Sequence, residues 1–111
     1  MSDTNLFVFD TNNFDQEVLG QKGLVLVDFW SDGCVPCKQL GRILEQLRTE
    51  VAPDVRIGTV KVNDNVALSQ RYDVRGAPTL LFFKNGAVVE TRTGVDRRQV
   101  LKKLVEEHAA P

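Results

Sequence analysis

The segment 23–30, Gly-Leu-Val-Leu-Val-Asp-Phe-Trp, constrains the fold more than any other part of the sequence. Side chains alternate between the two faces of a β-strand, and here apolar residues occupy both sets of alternate positions. A strand that is apolar on both faces is typical of the interior of a sheet, where helices cover it from each side. We therefore expect this segment to lie at the centre of the protein.

Hydrophobic periodicity divides the rest of the chain into alternating strands and helices. It predicts strands at 6–9, 55–62, 79–83 and 88–93, and helices at 14–19, 37–51, 66–72 and 96–108. Asn85-Gly86 is a tight-turn signal between the last two strands, which predicts an antiparallel hairpin. Strands joined through helices are expected to pair in parallel. The predicted class is α/β, a mixed five-stranded central sheet flanked by four helices, in a single domain comprising residues 1–111.

Charge and hydropathy exclude several classes of function. Fourteen basic and fifteen acidic residues give a net charge of −1, without the basic cluster that nucleic-acid binding needs. The first residues lack the basic and apolar regions of a signal peptide, and the longest apolar run, Leu24 to Val27, is far too short to span a membrane. We therefore expect a cytoplasmic protein, where a pair of cysteines is catalytic or metal-binding more often than structural.

Cys34-Val35-Pro36-Cys37 falls where the apolar strand passes through a short loop into the predicted helix. Pro36 is compatible with the first helical turn, because its missing N–H would have no partner there. A spacing of three residues places both sulfur atoms on one face of that turn, within bonding reach of each other. A helix N-terminus favours the thiolate and lowers a cysteine pKa from about 8.5 to roughly 3.5–7.5. The pattern predicts a redox-active disulfide, with Cys34 as nucleophile and Cys37 as resolving thiol.

Two other interpretations of the cysteine pair are weaker. A zinc site needs four nitrogen or sulfur ligands, and the chain supplies two cysteines and one histidine, His108, near its C-terminus. We therefore expect no metal, and expect His108 to be a solvated residue of the tail. The pair could also be purely structural. Its position, where a buried strand passes through a short loop into the start of a helix, favours a catalytic role instead.

Asp28 interrupts the apolar strand six residues before Cys34. Burying a carboxylate is costly unless it is neutral or has a partner, so one interpretation is a strand end whose side chain points to solvent. The other is a buried carboxyl group that accepts and returns the proton of Cys37. Burial would raise its pKa toward the range useful at neutral pH.

Four motifs in register resemble the thioredoxin family, and the resemblance extends over essentially the whole chain. They read Val27-Asp28-Phe29-Trp30, Cys34-Val35-Pro36-Cys37-Lys38, Arg75-Gly76-Ala77-Pro78-Thr79 and Phe83-Lys84-Asn85-Gly86. The resemblance implies the thioredoxin fold and a cis peptide before Pro78, which the sequence alone leaves as open as the trans form. It also implies that Asp28 is the buried proton shuttle. The groove that grips an extended substrate would be lined by Trp30, Gly33, Val35, Pro36, Ala77, Pro78 and Gly94.

The function implied is that of a protein disulfide reductase that acts as an electron carrier. A thioredoxin reductase would supply the electrons and disulfide-containing client proteins would receive them. No cofactor is expected, since the dithiol itself holds the two electrons, and the chain is expected to be a monomer. An oxidant or isomerase of related fold is the alternative enzyme. A redox-inert binding module is the alternative from another class.

The chain departs from the usual family pattern at four positions near the cysteines. Thioredoxins commonly have tryptophan where this chain has Gly33, glycine where it has Val35, proline where it has Arg42, and lysine where it has Thr59. Asp32 adds a negative charge beside the nucleophile. These positions bear on partner choice and redox potential rather than on the thiol chemistry itself.

Overall fold

The fold is built on one mixed sheet, seen in a computed structural model that describes residues 5–110. The residues at the start of the chain on which the expected absence of a signal peptide rests, Met1 to Thr4, lie outside that range. The strands occur in the spatial order β1-β3-β2-β4-β5. They are β1 (Phe7–Val8), β2 (Leu24–Trp30), β3 (Arg56–Lys61), β4 (Thr79–Lys84) and β5 (Ala87–Thr93).

β2 is the central strand, as its apolar sequence predicts. It pairs in parallel with β3 and antiparallel with β4, and every residue except the terminal Trp30 is buried. Its alternate side chains belong to two separate apolar cores, one on each face of the sheet. Burial on both faces makes β2 the rigid base from which the cysteine segment starts.

Four helices cover the sheet, as predicted. They are α1 (Asp15–Leu19, with π-type hydrogen bonding), α2 (Val35–Arg48), α3 (Val66–Arg71) and α4 (Arg98–Ala109). α2 and α4 pack on the face that carries Leu26 and Leu80, whereas α1 and α3 pack on the face that carries Val27 and Phe83. None of the helices within residues 5–110 is long and apolar enough to cross a membrane.

α2 is displaced from the predicted range of 37–51. It begins two residues earlier and ends at Arg48, so Val51 is not helical. The chain leaves the helix through turn hydrogen bonds, in which the N–H groups of Thr49 and Glu50 donate to the carbonyl oxygens of Gln46 and Leu47. The Arg48 guanidinium donates hydrogen bonds to carbonyl oxygens of the segment that follows, at Val51, Ala52 and Val55, and so ties that segment to the end of the helix.

The predicted parallel pairing of strands joined through helices is wrong for β4. β4 follows α3, yet it runs antiparallel to β2 and so also to β3. α3 has six residues and rises about 9 Å, which is too short to carry the chain back along a strand of about 20 Å. The chain therefore enters β4 at the same end of the sheet at which β3 finishes. This places the loop before Thr79 beside the cysteines.

The hairpin between β4 and β5 has the predicted two-residue turn. Asn85 and Gly86 both have positive φ, at 53° and 81°, the combination that a type I′ turn requires. Lys84 therefore pairs directly with Ala87. The turn lies at the end of the sheet opposite the cysteines.

Candidate active site

Cys34 and Cys37 lie at the N-terminus of α2 and form a disulfide, with their Cα atoms 5.2 Å apart. Cys34 is the N-cap residue, in an extended conformation, and Pro36 lies in the first helical turn. The backbone N–H of Cys37 donates a hydrogen bond to Sγ of Cys34 at 3.1 Å. A thiolate at the same atom would accept that bond and face the positive end of the helix dipole. The local geometry is that of a stabilised Cys34 thiolate.

The two sulfur atoms differ in exposure. Cys37 is 5% exposed, whereas Cys34 is half-buried. Sγ of Cys34 also lies 3.8 Å from the carbonyl oxygen of Ala77, in the loop before β4. An incoming disulfide can therefore reach Cys34 more readily than Cys37.

Asp28 lies within the core, 1% exposed, so the solvent-facing interpretation of this residue is wrong and its predicted burial is confirmed. Its Oδ1 atom has no hydrogen-bond partner. Desolvation by burial raises the pKa of the carboxyl group from 3.8 to about 7. A group with this pKa can hold or release a proton near neutral pH, as proton exchange with a thiol requires.

Lys61 does not compensate Asp28, although it lies two residues beyond Thr59 on β3. Its Nζ atom lies 3.4 Å from a carboxylate oxygen of Asp32 and 3.8 Å from one of Asp64. It also lies 5.6 Å from the ring centroid of Trp30, within cation–π range. These contacts hold the ammonium group at the surface and leave the core carboxyl without a cation.

The loop before Cys34 is anchored by a residue that sequence reasoning missed. Oδ1 of Asn63 accepts a hydrogen bond from the backbone N–H of Asp32 at 3.1 Å. With the Lys61–Asp32 ion pair, this bond ties the loop to the segment that follows β3. No local pattern marks Asn63, since its partner is 31 residues away in the chain.

A cleft of about 1070 Å³ opens beside the disulfide, on the α2 side of β3. We call it the Asp28 cleft. Its walls include both cysteines and Gly33, together with charged residues of α2. The lining also includes Asp28, Trp30, Gly41, Thr59 and Lys61. The buried carboxyl group and the resolving cysteine thus border the same open space.

A second hollow, of about 370 Å³, lies on the other side of Cys34. It is lined by Ala77, Pro78 and Gly94 among others, and the predicted cis peptide between Ala77 and Pro78 is confirmed. Gly94 has φ of +79°, and its N–H donates to the carbonyl oxygen of Pro78 at 3.0 Å. Three of the residues predicted to line the groove therefore lie together.

The other predicted groove residues lie around the start of α2. Gly33, Val35 and Pro36 are exposed, and Val35 is 66% exposed. Trp30 borders the Asp28 cleft, as Gly33 does, and not the hollow beside Pro78, so the structure separates it from Ala77, Pro78 and Gly94. Its indole ring lies under the Lys61 ammonium group and forms part of the wall of the Asp28 cleft.

No group of three or more histidine, cysteine or acidic side chains within residues 5–110 could hold a metal ion. The prediction that His108 is a solvated tail residue is wrong. Its Nε2 atom lies 3.0 Å from Oε1 of Glu90, and its ring packs on Phe82 at a centroid distance of 5.9 Å. Because α4 extends to Ala109, His108 belongs to that helix and packs against the sheet.

Comparisons with known proteins agree with the site. A sequence model of the family described as Thioredoxin matches residues 5–107. Thioredoxin of Buchnera aphidicola subsp. Acyrthosiphon pisum (strain APS) is 38% identical over 96 residues, which are 86% of this chain and 89% of that protein. Thioredoxin of Bacillus subtilis (strain 168) is 39% identical over 87 residues, which are 78% of this chain and 84% of that protein.

The fold is similar to a solved structure, the N21Q mutant thioredoxin from Halobacterium salinarum NRC-1. The TM-score is 0.85 at 33% sequence identity, and the match covers 96% of this chain and 91% of the other. The similarity therefore includes the whole sheet, the covering helices and the segment that carries the disulfide.

Proposed function

The chain belongs to the thioredoxin family, and from that premise we propose that it reduces disulfides in other proteins by exchange through Cys34 and Cys37. The observation that carries the proposal is the position of the disulfide at the start of α2, with Sγ of Cys34 accepting the N–H of Cys37. A thiolate held in this way is both formed at neutral pH and exposed to a partner. Dithiol–disulfide exchange needs no other group to hold electrons.

The proposed reaction has two exchange steps. The Cys34 thiolate attacks one sulfur of the client disulfide, which forms a mixed disulfide and releases the first client thiolate. Asp28 then takes the proton of Cys37, and the Cys37 thiolate attacks Sγ of Cys34. This attack forms the Cys34–Cys37 disulfide and releases the second client thiolate, and the proton held by Asp28 becomes available for a released thiolate. The client gains two electrons and the protein loses two.

The groove for the client is proposed to follow the residues around the nucleophile. Its rim would be formed by Gly33, Val35 and Pro36, and its far side by Ala77, Pro78 and Gly94. The carbonyl oxygen of Ala77, 3.8 Å from Sγ of Cys34, would accept a backbone N–H from an extended client segment. Exposure of Val35 supports an apolar contact at the rim.

We propose that the electrons come from a thioredoxin reductase and that the chain acts as a monomeric carrier in the cytoplasm. A reducing compartment supports this role, because the disulfide must be converted back to the dithiol after each turnover. Family membership supports disulfide-containing proteins as clients. The carrier would thereby contribute to thiol redox homeostasis.

The proposal is tested with a disulfide-bonded test protein and an excess of a small dithiol. A catalytic amount of the chain is expected to raise the reduction rate at least about tenfold above that of the dithiol alone, because a helix N-terminus stabilises the attacking thiolate. Release of client thiols is measured against time. The same rate with and without the chain would contradict the enzyme and favour a redox-inert binding module.

The rim of the site is expected to limit which reductase can serve this chain. Gly33 lacks the aromatic side chain that the family usually presents there, and Val35 adds a branched side chain on the exposed turn. Aromatic anchors commonly dominate interface energies, so we expect slow reduction by a general thioredoxin reductase and faster reduction by a cognate one.

The double variant Gly33→Trp, Val35→Gly is expected to increase kcat/KM with a general thioredoxin reductase about tenfold, as restoration of one anchor would. The assay follows oxidation of the nicotinamide donor. Val88→Gly is the matched control, since it removes an exposed valine at the opposite end of the sheet. An equal rate for the double variant and the unmodified chain would show that specificity lies elsewhere.

A further inference from the structure

Asp28 is closed off from solvent on most sides. Across the sheet toward β4 its register partner is Leu80, which is buried. The apolar residues of α2, such as Leu40, pack on the face of the sheet to which Asp28 belongs, and Cys37 borders the same cleft as Asp28. The carboxyl group therefore cannot exchange a proton with water through β4 or through the core.

The open side is the Asp28 cleft. There the register partner of Asp28 is Thr59 of β3, and register partners in a parallel pair present their side chains on the same face. Thr59 is half-buried and borders the cleft together with Asp28 and Cys37. Of the two residues that flank Asp28 across the sheet, only Thr59 has a hydroxyl group, which can both donate and accept a hydrogen bond.

None of the other charged side chains that border the cleft is positioned as Thr59 is, in register with Asp28. Lys61 is engaged by Asp32 and Asp64, and Asp10 accepts hydrogen bonds from backbone N–H groups of its own turn. The remaining charged side chains belong to α2, on the wall of the cleft: Lys38, Arg42 and Glu45. Each is at least partly exposed to solvent.

We propose that Thr59 is a positioning residue for the proton transfer, whose hydroxyl holds the water that links Asp28 to the cleft. Three observations meet at this position: an unpaired, buried carboxylate oxygen, an open cleft beside it, and a hydroxyl on Thr59, the register partner of Asp28. The inference depends on the proposed function, because it presumes that Asp28 takes the proton of Cys37. In the step, Asp28 receives that proton, the thiolate forms the disulfide, and the proton leaves through the Thr59-bound water to the released thiolate or to solvent.

The test uses the pair Thr59→Val and Thr59→Ser in the full-length protein. Valine keeps the shape and removes the hydroxyl, whereas serine keeps the hydroxyl. A mixed disulfide is formed at Cys34 with a small aromatic thiol, and its resolution by Cys37 is followed by stopped-flow fluorescence of Trp30, the single tryptophan. The rate is measured from pH 5 to 9, in H2O and in D2O.

Thr59→Val is expected to slow resolution about fivefold near pH 7, the factor that corresponds to one ordinary hydrogen bond. It should also alter the solvent isotope effect, while Thr59→Ser resolves at the unmodified rate. Combined with Asp28→Asn, Thr59→Val should produce no further loss, since both act on the same proton. Equal slowing by valine and serine, an unchanged rate for Thr59→Val, or an additive loss in the double variant would overturn the proposal.

The two proposals fail differently in this experiment. Asp28→Asn alone is expected to slow resolution by about 100-fold, the lower end of general acid–base effects. An unchanged rate for Asp28→Asn would contradict the shuttle role of Asp28 and with it the role of Thr59. Slow resolution in Asp28→Asn with an unaffected Thr59→Val contradicts the Thr59 inference alone.

Discussion

Cys34→Ser is expected to reduce the chain-dependent part of the rate of protein disulfide reduction by a factor on the order of 10³ or more, so that the observed rate falls to that of the assay dithiol alone. Loss of a nucleophile removes the covalent path entirely, and such losses are among the largest that single substitutions cause. Cys37 cannot take over the role, because it is 5% exposed and lies one turn inside α2. The measurement is the release of client thiols in the catalytic assay described above.

Cys37→Ser is the matched variant, because it keeps the attacking thiol and removes the resolving one. It is expected to accumulate mixed disulfides between Cys34 and client proteins, visible by mass spectrometry and reversed by a reductant, whereas Cys34→Ser should form none. In the reduced protein, Cys34 should also be alkylated first near neutral pH, because it alone is exposed at the helix end. Faster alkylation of Cys37, or trapping by Cys34→Ser, would reverse the assigned roles.

Asp28→Asn is expected to remove most of the dependence of stability on pH between about 4 and 8. The pKa of Asp28 is about 7 in the folded protein against 3.8 for the unperturbed group, because burial disfavours the charged form. Between these values the folded chain holds a proton that the unfolded chain has released. Stability therefore falls as pH rises through this window, and the full cost is present above pH 7.

The expected size of the effect follows from the same two values. At about 1.4 kcal/mol per pH unit, the interval from 3.8 to about 7 amounts to about 4 kcal/mol. A buried asparagine has its own cost of about 1–3 kcal/mol for an unpaired amide, at every pH. The variant should therefore be more stable than the unmodified protein by roughly 1–3 kcal/mol at pH 8 and no more stable at pH 4.

Urea unfolding of the oxidised protein at pH 4 to 9 provides the measurement. Asp54→Asn is the matched control, because Asp54 is exposed and lies away from the site. A parallel titration of the Asp28 carboxyl carbon by NMR should give a midpoint near 7. The same pH dependence of stability in all three proteins, or a midpoint near that of a free aspartate, would rule out the burial effect.

The central architecture and the active pair could be predicted from the sequence, since they depend on short-range pattern. β2 is apolar on both sets of alternate positions, so only the middle of a sheet could bury it. Pro36 and the spacing of the cysteines are local properties of a first helical turn. The turn at Asn85-Gly86 likewise depends on two adjacent residues that tolerate positive φ.

Other features were decided only by tertiary structure. The direction of β4 followed from the small rise of α3, and the segment after α2 is held by the Arg48 guanidinium, which donates to its carbonyl groups. Whether Asp28 has a partner depended on where Lys61 lies, and Lys61 is held by two carboxylates from other segments. Such contacts join residues whose proximity no local pattern encodes. The chain by itself determined which residues form the dithiol pair, whereas packing determined the environment of the Asp28 carboxyl group.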